Sequence, residues 1–130
     1  FFRLKISSSY ISDPHLQFMS ANSLGKDDVV VAISQSGTTA ALIESIKIVR
    51  KNGAKVIGIM PGDTPLANIC DFPLTINVGS NNRISKPVTS RIAYTAVIDV
   101  LTMGVAQLKP EAQDHLYNIA DSQRSLKVDN

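Results

Sequence analysis

The stretch Ser34-Gln35-Ser36-Gly37-Thr38-Thr39 places four hydroxyls and one glycine within six residues. Hydroxyls are neutral donors that rotate toward phosphate or sugar oxygens, and glycine lets the backbone turn tightly and approach a ligand. Gln35 can add an amide to a sugar oxygen. The run follows the apolar stretch Val29 to Ile33 and leads into a segment of helical periodicity from Thr39. A helix N-terminus offers unpaired N–H groups and a positive partial charge, so an oxyanion such as phosphate fits there. Capping the helix would need only one of the hydroxyls, and their density favours a binding loop.

Other uses of the same residues fail on spacing. No Lys or Arg occurs from Ser34 to Glu44, whereas a nucleotide P-loop needs a lysine on the terminal phosphates. Gly53 and Gly58 have P-loop spacing, but Ile59-Met60 stands where Lys-Ser/Thr is required. Ser36 is no hydrolase nucleophile elbow, because Ser34 and Thr38 occupy its two glycine positions.

The flanking elements must set this loop at the end of a sheet. Val29 to Ile33 is an apolar, mostly β-branched run without alternation, which reads as a central parallel strand covered on both faces. Thr39 to Asn52 carries Leu42, Ile43, Ile46 and Val49 at helical spacing, with Gly53 as its stop, and Val56 to Met60 repeats the buried-strand pattern. Val29 to Met60 thus has the length of a right-handed βαβ crossover. In open α/β sheets ligands bind at the carboxyl ends of the strands.

Around that unit, Phe1 to Leu4 reads as the last turn of a helix and Ser7 to Ile11 as a short β-prone piece. Asp13-Pro14 caps and opens a helix over 14–24 that Gly25 closes in a left-handed conformation. Thr64 caps a short helix from Pro65 to about Ile69, Phe72 to Val78 is a further strand, and Gly79 to Lys86 is a polar loop. Pro87 opens a long helix to Leu108 with too many apolar residues for one stripe, which implies cover by the sheet on one side and a partner subunit on the other. Lys109-Pro110 breaks it before a charged helix over Glu111 to Lys127.

Composition bounds the function. The 130 residues, 44% of them hydrophobic, suffice for one domain with a real core, and a net charge of +2 gives no field for steering to nucleic acid or membrane. The lone Cys70 can form neither an internal disulfide nor a thiolate metal site, which suits the cytoplasm. No leader or membrane span is evident, and neither a metal nor a cofactor is expected.

The serine loop after a Val/Ile strand resembles the Ser-x-Ser-Gly-x-Thr/Ser signature of sugar isomerase (SIS) domains. Gly53-Ala-Lys-Val-Ile-Gly58 and Thr64-Pro65-Leu66-Ala67 continue the likeness. Pro87 to Arg91 and Val97 to Leu101 are similar to the last helix of SIS domains in the RpiR family of bacterial transcription regulators. The resemblance covers nearly the whole chain. It implies a flavodoxin-like three-layer α/β/α sandwich with a parallel sheet, residues 1–130 forming one phosphosugar-binding domain, with Ser34, Gln35, Ser36, Gly37, Thr38 and Thr39 at the ligand. It also implies a homodimer or tetramer, an N-terminal strand and glycine-serine loop missing before Phe1, and DNA binding only through an upstream helix-turn-helix region.

Aldose–ketose isomerisation, the alternative, needs a base beside the sugar. His15 at a helix start, His115 in the tail helix, Glu44 well into the helix after the loop and Asp99 on the apolar helix are weak candidates, so no catalytic residue is assigned. Lys86, Ser90 and Arg91 could meet a second anionic group. The sequence therefore favours a phosphosugar sensor of a transcription regulator of carbohydrate metabolism over an isomerase, with a purely structural dimerisation module as a third reading.

Overall fold

A computed structural model describes residues 1–78 and 86–124 of the chain, and its contacts divide the chain into two units, Ile11–Tyr94 and Phe1–Tyr10 with Thr95–Asn130. In the first unit, Asp13 caps helix α1 (Pro14–Ser23), its carboxylate accepting from the Leu16 amide at 3.0 Å. Strand β1 (Val29–Ile33), helix α2 (Ala40–Lys51) and strand β2 (Lys55–Met60) form the expected βαβ crossover. A 3-10 turn (Ala67–Ile69) leads to β3 (Phe72–Thr75). The sheet is parallel with order β1-β2-β3, Val30 opposite Val56 and Ile59 opposite Leu74.

The core lies between the sheet and the helix pair α1 and α2, where Ala32, Val56 and Met60 meet Ala21, Ile46 and Val49. Ile59, which alternation puts on the opposite face, is also fully buried. Gly53 closes α2 at φ 91°, its amide donating to the Arg50 carbonyl at 3.0 Å. Asn52 Nδ2 donates to the Ala21 carbonyl at 3.1 Å and joins the C-terminal ends of the two helices. Both helices therefore start at the end of the sheet where the strands finish.

Four expectations differ from the arrangement of the described residues. Among the described residues β1 is an edge strand and β2 the central one, and Val29 and Ile33 are exposed. Gly25 does not adopt a left-handed conformation, because Leu24 in extended backbone already ends α1. Residues 7–11 pair with no strand among the described residues. Strand β3 stops at Thr75, although the Ile76 amide still donates to the Met60 carbonyl at 2.9 Å.

Helix α3 (Lys86–Leu108) begins in the first unit and continues into the second. There the 3-10 turn Phe2–Leu4, the end of α3 and α4 (Pro110–Arg124) enclose Leu4, Ala106 and Ala112, with Phe1, Ile6, Val105 and Leu116 around them. Of the apolar residues on α3, Val88, Ile92, Val100 and Met103 stay exposed, so the described residues do not supply its second cover. By length and composition Val88–Leu108 could cross a membrane, a test that core helices of soluble proteins also pass. The polar stretch 79–85 and the last residues assigned to the tail helix, 125–127, lie outside the described residues.

Candidate functional site

The loop Ser34 to Thr39 leaves the carboxyl end of β1, and three groups tie its root. The Ser34 amide donates to the Ile59 carbonyl at 3.0 Å, the buried Tyr94 hydroxyl reaches the Ser34 carbonyl at 3.4 Å, and Ser34 Oγ accepts from the Gly37 amide at 3.0 Å. The amide, the carbonyl and the Oγ of the buried Ser34 therefore each have a partner within the protein. Burial also pushes the Tyr94 phenol above its ordinary pKa, so this donor stays protonated at neutral pH.

Further along, the side chains open to solvent. Gln35, Ser36, Thr38 and Thr39 are exposed, whereas Gly37 is buried at φ 64°. Ser36 Oγ accepts from the Thr38 amide at 3.2 Å and from the Thr38 hydroxyl at 3.0 Å, which leaves the Ser36 O–H as a donor to be directed outward. Thr39 is the N-cap of α2 in extended backbone, and its hydroxyl makes no capping bond. The first helical bond runs from the Ile43 amide to the Thr39 carbonyl at 3.0 Å. Ahead of it, the amides of Ala40, Ala41 and Leu42 find no acceptor among the side chains and loop carbonyls of the described residues, and such a triplet suits an anion.

The loop after β2 forms the neighbouring wall. The Leu66 amide donates to the Gly37 carbonyl at 3.1 Å. Thr64 Oγ1 donates to the Pro61 carbonyl at 3.1 Å and accepts from the Ala67 amide at 3.3 Å, although the capped helix expected from Pro65 is a 3-10 turn over Ala67–Ile69 with Leu66 at its N-cap. Beyond β3, Asn77 Oδ1 accepts from the Gly62 amide at 3.0 Å. Sequence reasoning missed Tyr94 and Leu66, and assigned Thr64 only a cap. The one available signal was Gly37 itself, since a left-handed glycine in close contact implies a partner pressed against it.

The groups weighed as bases are differently placed. Glu44 is exposed and pairs with Lys47 at 2.7 Å. His15 is exposed at the start of α1, at the same end of the sheet as the loop. His115 and Asp99 belong to the second unit, where Asp99 lines a cleft of about 470 Å³ with Arg3, Thr102 and Met103. Ser90 is buried and Arg91 exposed on α3. Among the described residues no group of three or more His, Cys, Asp or Glu could hold a metal ion.

A parallel α/β unit with a hydroxyl-rich turn between a strand end and a helix N-terminus marks the open α/β class of domain. Within that class the chain belongs to the SIS domain family, whose model matches residues 4–104. It is 34% identical over 130 residues to the HTH-type transcriptional regulator HexR of Escherichia coli (strain K12), covering 99% of this chain and 45% of that protein. The HexR of Pseudomonas aeruginosa is 36% identical over 123 residues, covering 94% of this chain and 43% of its own. The chain thus spans less than half the length of these curated relatives. Among solved structures, the Vibrio vulnificus NanR protein complexed with ManNAc-6P superposes with a TM-score of 0.84 at 22% identity, over 98% of this chain and 49% of that one. The sugar isomerase domain of the RpiR transcription factor from Sphaerobacter thermophilus gives 0.72 at 15% identity, over 92% and 66%. These two likenesses establish the fold.

Proposed function

We propose that this chain is the effector domain of a bacterial transcription regulator of carbohydrate metabolism, and that it binds a sugar phosphate at Ser34–Thr39. The observation that carries the reading is the set of unaccepted amides at Ala40–Leu42 beside the exposed hydroxyls of Ser36, Thr38 and Thr39. The phosphate sits at the amides, with Ser36 and Thr39 on its oxygens, Thr38 turning its hydroxyl from Ser36 to join them, and Gln35 on a sugar hydroxyl. Ser34 and Gly37 shape the loop from within. Regulators named HexR as sequence relatives, and a NanR of the same fold in complex with ManNAc-6P, support the same reading.

The regulator acts in the cytoplasm as a homodimer or tetramer and reaches DNA through a helix-turn-helix region elsewhere in the longer protein. An isomerase would need a base over the sugar, and Glu44, held by Lys47, is a poor one. The test is calorimetry on the full-length protein with glucose 6-phosphate, N-acetylmannosamine 6-phosphate and 6-phosphogluconate, each against its unphosphorylated sugar or sugar acid. Binding confined to phosphorylated compounds, without interconversion of aldose and ketose, is the expected outcome. Equal binding of the unphosphorylated compounds would remove the phosphate from the reading, and turnover would replace the sensor with an isomerase.

A further inference from the structure

Resting on that reading of the loop, we propose that Thr64 is a positioning residue for the anion site: it holds Gly37 in the turned conformation that lets the loop and the start of α2 converge on one oxyanion. The loop's own bonds, Ser34 to Gly37 and Ser36 to Thr38, span two or three residues and fix its local shape only. The bonds from Ile59 and Tyr94 hold its root at Ser34. Its crest is held from outside by the 64–66 turn, through the Leu66 amide on the Gly37 carbonyl and the Thr64 side chain against the Gly37 Cα. A Cβ added to Gly37 would strike Thr64 Oγ1 and lie 2.6 Å from its Cβ and 2.8 Å from its Cγ2, so no other residue type fits between them.

Thr64 is itself fixed from both sides, because its buried hydroxyl donates to Pro61 and accepts from Ala67. Those two bonds close the turn that delivers the Leu66 amide. Removing the hydroxyl while keeping the shape should therefore loosen the crest without emptying the core. The side chain does not touch the ligand; it acts through Gly37.

Full-length Thr64→Val, Thr64→Ser and Thr64→Ala are titrated at 25 °C with the three compounds named above, alongside melting curves and the Gly37 amide resonance. Thr64→Val should weaken whichever compound the wild type binds by about tenfold, and Thr64→Ser should stay within about threefold of wild type. The Gly37 resonance should move in Thr64→Val and not in Thr64→Ser. A merely structural threonine would lower the melting temperature and leave the dissociation constant unchanged, because the folded fraction stays near one well below the transition; that result overturns the proposal. If Thr64→Val does not fold, the same contrast is read between Thr64→Ala and Thr64→Ser, and equal affinities overturn it there. A wild type that binds none of the three defeats the sugar-phosphate reading and the proposal with it, whereas binding unaffected by every Thr64 change defeats the positioning role alone.

Discussion

Ser34 and Ser36 stand two residues apart and differ in setting: the first is buried with its amide, carbonyl and Oγ all partnered inside the protein, the second exposed with its hydroxyl open to solvent. Removing the second should therefore act on binding and removing the first on the loop. Ser36→Ala is expected to weaken a sugar phosphate by roughly 1–3 kcal/mol, the cost of leaving a charged acceptor short of one donor. Calorimetry on the full-length variant reads this, and an unchanged dissociation constant would take Ser36 off the ligand. Thr39→Val should weaken binding too, with little effect on the helix, since its hydroxyl caps nothing. The hydroxyl count was legible in the sequence because it depends on composition and local order alone. The division of labour within the loop was not, because it depends on Ile59, Leu66, Thr64 and Tyr94, which arrive from 25 to 60 residues away, as the pairs with Ser34 and Gly37 show.

Between elements, Asp71 links three pieces of the first unit. Its Oδ2 accepts from the Val56 amide at 2.9 Å, its own amide donates to the Val56 carbonyl at 3.0 Å, and Lys55 and Arg50 lie 3.6 and 3.9 Å away. The Val56 hydrogen bond, against some burial and with help from the two cations, holds the carboxyl below its ordinary value of 3.8. A group whose pKa is depressed on folding contributes stability above its unfolded value and loses it as pH falls through the folded one. The contribution should thus be complete above about pH 5 and fade from near pH 4 downward. Asn at this position can still accept from Val56 but carries no charge, so the acid limb of melting temperature against pH should be shallower in Asp71→Asn than in wild type. Parallel curves between pH 5 and pH 2 would show that the carboxylate's charge is not involved. Helices α1 to α3 and strand β2 were readable from periodicity and from the Asp13 cap, because those signals are local. The end of β3 at Thr75 was not, since where a strand stops is settled by its pairing with β2, which no single segment encodes.

At the scale of the molecule, α3 poses the largest unsolved burial. Val88, Ile92, Ala96, Val100 and Met103 are all exposed and recur every three or four residues, which lines them up along one side of the helix. Val100 keeps 72% and Ile92 68% of its accessible surface, values suited to an interface rather than to a finished exterior. A second copy meeting this stripe about a twofold axis would bury each residue twice, once per protomer. That makes a substitution in the stripe act doubly: losing two buried valines forfeits about 3 kcal/mol or more, which corresponds to at least about a hundredfold in the dimer dissociation constant. Introducing a charge adds the cost of desolvating it without a partner. Val100→Glu in the full-length protein should therefore convert the assembly to monomer at micromolar concentration, with helical content by circular dichroism unchanged because the position is exposed within one chain. Light scattering after size exclusion reads the mass directly. A variant that keeps the wild-type mass would mean that α3 is covered by something other than its own copy.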